Sequence, residues 1–165
     1  MSVPTHRPTR ASSAGALLAA VAVVLVGGTG GTVALVVATA GMFSLGAALV
    51  RGSRGWAATG TIGLFVALVV AGLAGAGALS VLAGTAATMV AWDLSEHAIG
   101  LGEQLGRAAT TRRQEAVHAA CSVGVGVLGV GLALVVTHVG VGALPVPAFV
   151  VGLVASIAFL AGLRT

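Results

Sequence analysis

Two long stretches without a single Asp, Glu, Lys or Arg govern what this chain can fold into: Ala14 to Val50 and Trp56 to Trp92, 37 residues each. A helix crosses a bilayer with about 20 residues, and one straight helix of this length would reach about 55 Å against a hydrocarbon layer of about 30 Å. Each stretch therefore reads as a helical hairpin of two spans. Glycine clusters fall where the turns have to be, with Gly27, Gly28, Gly30 and Gly31 in the first stretch and Gly72, Gly75 and Gly77 in the second.

A third stretch, Ala116 to Leu163, has 48 residues interrupted only by His118, His138, Pro145 and Pro147. Proline removes a backbone donor and disfavours helix in the residue before it, so the third turn is expected between His138 and Pro147. The reading is an all-α, polytopic membrane helix bundle of about six transmembrane helices in three hairpins. The spans are expected at 12–28, 32–50, 56–73, 77–92, 115–138 and 147–163, after a basic tail at 1–11. Composition agrees: 7% of the residues are charged and 58% hydrophobic, whereas a soluble domain carries about 25% charge.

The basic residues are eight arginines, with no lysine. With the spans numbered in this way, all eight fall on one side of the bilayer. By the positive-inside rule that side is cytoplasmic, which places both termini there. Trp56 and Trp92 are expected at the same interface, where indole rings prefer to sit. A net charge of +4 then orients the chain, and nucleic acid is not an expected partner. Arg7 and Arg10 before an apolar run resemble a signal peptide, with Ala38-Thr39-Ala40 as a cleavage pattern. That site lies too far beyond the short apolar core of such a signal, so the first span is expected to stay uncleaved.

All four acids, Asp93, Glu96, Glu103 and Glu115, lie between Trp92 and Ala116. The 93–114 segment is therefore the expected polar cytoplasmic surface. Asp93 with Glu96, and Thr111 with Gln114, have the spacing of a helix cap and its reciprocal acceptor, predicting two helix starts. Leu94, Ala98, Leu101, Leu105 and Ala108 recur at steps of four and three, one apolar stripe of a short amphipathic helix. Glu103 and Arg107 form an i, i+4 pair. The stripe needs a cover, supplied either by the bundle or by a partner protein.

The run Trp92-Asp93-Leu94-Ser95-Glu96-His97-Ala98-Ile99-Gly100-Leu101-Gly102-Glu103-Gln104-Leu105-Gly106-Arg107, followed by Arg113, Glu115, His118 and Ala119, resembles the signature of an uncharacterised family of small multi-span membrane proteins, a domain of unknown function, from halophilic archaea. The resemblance implies membrane location and association with a gene neighbourhood that includes a MoxR-type ATPase. It implies no activity.

Sharper chemistries find incomplete constellations. Asp93 with His97, and Glu115 with His118, have helical ligand spacing, but a carboxylate-bridged centre needs a second Glu-x-x-His and two more carboxylates, so no metal and no cofactor are expected. Gly124, Gly126 and Gly129 spell GxGxxG inside a span, without the preceding strand that a dinucleotide site requires; close helix packing is the better reading. Small residues at Ser122 and Gly126, Gly27 and Gly31, and Gly152 and Ser156 have the same packing spacing. Ser80, Thr85, Thr88, Cys121 and Ser122 lack a base at matching depth, so no enzyme is expected. The expectation is a noncatalytic scaffold or complex subunit docking a partner through 93–115, with Asp93, Glu96, His97, Glu103, Arg107, Arg113, Glu115 and His118 as contact residues. The alternative is a small transporter or channel for a neutral or small solute.

Overall fold

The computed structural model describes residues 8–105 and 112–138, side chains excepted at 105 and 136–138. They form five helices: α1 Arg10–Thr29, α2 Thr32–Arg51, α3 Arg54–Leu73, α4 Ala78–Leu105 and α5 Arg112–His138. All five are long and apolar enough to cross a membrane. The chain divides into two units, Met1–Gly131 and Leu132–Thr165. The first unit holds α1 to α4 and most of α5; the described part of the second is the last turns of α5.

The first two hairpins form where the glycines predict. The α1–α2 turn uses Gly30 and Gly31, the latter at φ +95°, a conformation that costs a side-chain-bearing residue energy. Helices α1 to α4 pack around Val23, Leu45, Leu64, Leu68 and Ile99, each at most 1% exposed. In a bilayer, lipid would give such helices no hydrophobic reason to associate, and a core there depends on close contact between small residues. Ala16, Ala20, Ala34, Ala38, Ala48, Ala57, Ala67 and Ala71 are fully buried. A close crossing joins α2 to α3 at Gly41 and Gly60. A Cβ on Gly60 would stand 2.7 Å from the Leu45 nitrogen, and one on Gly41 2.8 Å from the Leu64 nitrogen.

The principal departure from the sequence reading is α4. It runs unbroken through Trp92 to Leu105, so the stretch expected as a separate amphipathic helix forms its last turns, and Asp93 starts no helix. Tertiary packing outweighs the capping signal here. Leu94, Ala98 and Leu101 are 2%, 0% and 6% exposed, with Ser95 and Ile99 also buried. Leu94 and Ala98 pack with Ala16, Leu49 and Val90, and the Thr9 amide donates to the Ala98 carbonyl at 3.2 Å. The bundle itself covers Leu94, Ala98 and Leu101 of the expected stripe. The start of α1 is therefore level with Ala98, which puts Trp92 well inside the helical layer. Helix α5 begins one residue after Thr111, where the second cap signal falls. The sixth span at 147–163 and its proline turn lie outside the described residues.

Candidate functional site

Arg10 opens α1, Arg51 closes α2, Arg54 opens α3, and Arg112 and Arg113 open α5, so the described arginines share one end of the bundle. Most of the expected contact residues gather there too, on the late turns of α4 and the early turns of α5. Glu115 reaches α1, Asp93 and His118 join α4 to α5, and Glu96 and Glu103 reach the start of α3.

Glu115 is the most buried ionisable group among the described residues. It is 4% exposed, and its Oε2 accepts from both the backbone N–H and the hydroxyl of Ser12, each at 2.8 Å. Ser12 is the third residue of α1, whose N-cap Thr9 makes no side-chain cap bond. The first amides of a helix have no intrahelical acceptor and sit at the positive end of its dipole. A carboxylate from 103 residues away in sequence thus does the work of a local cap and docks α5 onto α1.

The second cluster ties α5 to α4. Ser122 donates from its hydroxyl to Asp93 Oδ2, and it also lies 3.0 Å from the His118 carbonyl. One hydroxyl hydrogen serves one of these acceptors at a time. His118 Nε2 stands 2.8 Å from the same Asp93 oxygen. That contact is an ion pair when the ring is protonated, but it lies off the N–H axis and is no hydrogen bond. The rings of His97 and His118 stack, with centroids 3.9 Å apart and planes 13° from parallel. Imidazole nitrogens bind metals in the ring plane, and parallel stacked rings cannot direct both lone pairs at one ion between them. Glu115 is meanwhile committed to Ser12. Among the described residues no group of three or more His, Cys, Asp or Glu is arranged to hold a metal ion.

Glu96 and Glu103 meet Arg54 at the start of α3, with Nη1 3.6 Å from Glu96 and Nη2 2.9 Å from Glu103. The Arg54 side chain is 56% exposed, so each pair contributes in the range of about 0–1 kcal/mol. Arg107, the partner that the sequence spacing assigns to Glu103, lies outside the described residues. Arg51 lies over the Trp56 ring at 5.1 Å, a cation–π contact at this face. Arg113 lines a shallow cleft of about 610 Å³ with His97, Gln114, Val117, His118 and Cys121. Sequence reasoning missed Ser12, Arg54 and Ser122, because no spacing rule connects them to partners on other helices. In the GxGxxG run only Gly126 meets a neighbouring helix, at Ala86; Gly124 and Gly129 meet nothing among the described residues.

Five apolar helices of spanning length, with their arginines at one end, define a helical bundle compatible with an integral membrane protein. The chain belongs to the family of unknown function DUF7519, whose model matches residues 6–160. No curated protein matches it, and no solved structure does.

Proposed function

We propose that this protein is a noncatalytic scaffold or subunit of a membrane complex, multi-pass with both termini cytoplasmic, that docks a partner through the polar face formed by residues 93–115. The observation that carries the reading is the contrast between tied and untied charges. Asp93, Glu96, Glu103 and Glu115 are engaged inside the chain. Arg112, Arg113 and Gln114 stand exposed beside the His97–His118 cleft, and neither arginine joins an ion pair among the described residues. The bundle's cover over Leu94 and Leu101 narrows the contact to polar and basic groups, which suits an acidic partner surface. Resemblance to a halophilic archaeal family makes a MoxR-type ATPase or an associated membrane protein the partner to look for.

Two measurements test this. Cysteines substituted at Arg51 and Arg107 are expected to react with an impermeant reagent from the same, cytoplasmic side; labelling from opposite sides overturns the topology. Replacing Arg112 and Arg113 together by glutamine is expected to abolish crosslinking to the ATPase in native membranes while leaving membrane insertion intact. Undiminished crosslinks would remove these residues from the interface. If no partner is crosslinked by the parent chain, a small transporter or channel for a neutral solute becomes the better reading. The groove of about 590 Å³ between α4 and α5, apolar except for Asp93, His118, Ser122 and Thr85, supports that alternative.

A further inference from the structure

A separate groove lies where the start of α1 meets the end of α2. It measures about 480 Å³ and is lined by Pro8, Arg10, Ser13, Leu17, Gly46 and Leu49, among others. Its polarity is graded. Arg10 and Ser13 stand at the mouth, at the very end of α1, and the walls below are apolar. From Arg10 to Leu17 the helix descends about 10 Å at 1.5 Å per residue, the passage from headgroup level into the hydrocarbon of a bilayer. Arg10 is exposed and joins no ion pair among the described residues. Residues 10–51, the whole α1–α2 hairpin, contain no Asp or Glu. Gly46 keeps the floor open: a Cβ there would have Leu17 Cδ2 as its nearest neighbour, at 3.9 Å.

We infer that this groove binds an anionic phospholipid, its phosphate on the Arg10 guanidinium and one acyl chain against Leu17, Gly46 and Leu49. Guanidinium matches phosphate in both geometry and charge. No carboxylate lines the groove, and Glu115, which reaches the start of α1, is bound by Ser12 on the opposite face of the helix from Arg10; this selects the headgroup. A zwitterionic lipid brings an ammonium that needs an acidic partner, and an anionic lipid brings none. The inference rests on the chain residing in a membrane, and it is independent of the docking face on α4 and α5.

The test uses the full chain released from detergent in native mass spectrometry, with phosphatidylglycerol or phosphatidylcholine of identical acyl chains added. The parent is expected to retain phosphatidylglycerol several-fold better. Arg10→Gln is expected to bring the two lipids to near parity, and Arg10→Lys to keep part of the preference. Gly46→Leu, whose Cβ would have only Leu17 Cδ2 within 4 Å, is expected to lower retention of both. Helical circular dichroism and a monodisperse elution profile confirm that each variant is folded. Equal retention of both lipids by the parent, or undiminished preference in Arg10→Gln, overturns the site. Complete displacement of the lipid by equimolar inorganic phosphate overturns its assignment to a lipid. Failure of the parent to fractionate with membranes would instead defeat the membrane reading itself, before any lipid is compared.

Discussion

Replacing Gly60 by leucine is expected to cost the bundle about 3 kcal/mol, the upper end of the range for overpacked cores. The reason is what the new side chain meets. Its Cβ would sit 2.7 Å from the Leu45 nitrogen and 2.8 Å from the Gly41 carbonyl oxygen. Both are backbone atoms, so no rotamer change relieves the clash, and α2 must move off α3. Between helices that lipid does not press together, this contact area is most of what holds them. Thermal unfolding in detergent should show a lowered midpoint together with loss of a monodisperse elution peak. Gly28→Ala is the contrast, because its nearest neighbour would be Leu35 Cδ1 at 3.8 Å. It should be neutral or gain up to about 1 kcal/mol from helix propensity. A Gly60→Leu protein as stable as its parent would show that the two helices do not cross there.

The second large effect is expected at Glu115. Glu115→Ala removes the acceptor of two hydrogen bonds and leaves the Ser12 amide buried without it, at a cost of about 2–3 kcal/mol. Glu115→Gln keeps an acceptor of the same shape and gives up the charge opposite the α1 dipole, a loss of about 1 kcal/mol. Ser12→Ala removes the hydroxyl and spares the amide, so it should cost about 1 kcal/mol. Because Ser12 and Glu115 meet only when α5 lies on α1, the double variant should fall short of the summed single effects by at least about 0.5 kcal/mol in a double-mutant cycle. Strict additivity would mean that the helices are not joined through this pair.

Much of this arrangement was legible in the residues, and the parts that were not share a cause. The uncharged runs and their glycines located the first three helices to within two residues at either end, since hydrocarbon thickness sets span length and glycine alone adopts the turn geometry freely. The stripe of Leu94, Ala98 and Leu101 was equally readable. The end of the fourth helix was not. Asp93 and Glu96 carry a cap's spacing, yet Asp93 receives Ser122 and Glu96 faces Arg54. A local pattern cannot report partners that a distant helix provides.

The candidate site shows the same division. Gathering of the acids into one segment named Asp93, Glu96, His97, Glu103, Arg107, Arg113, Glu115 and His118 as a set. It did not show that Glu115 caps α1, or that His97 and His118 lie ring on ring. Nor could it choose Gly41 and Gly60, among 26 glycines, as the place where α2 crosses α3. Hydropathy and the placement of charge are properties of consecutive residues, so the one-dimensional chain determines which segments are apolar helices and which end carries the arginines. Which polar group answers which, and where two backbones touch, depends on helix rotation and crossing, and those are set only when the side chains of several helices pack at once.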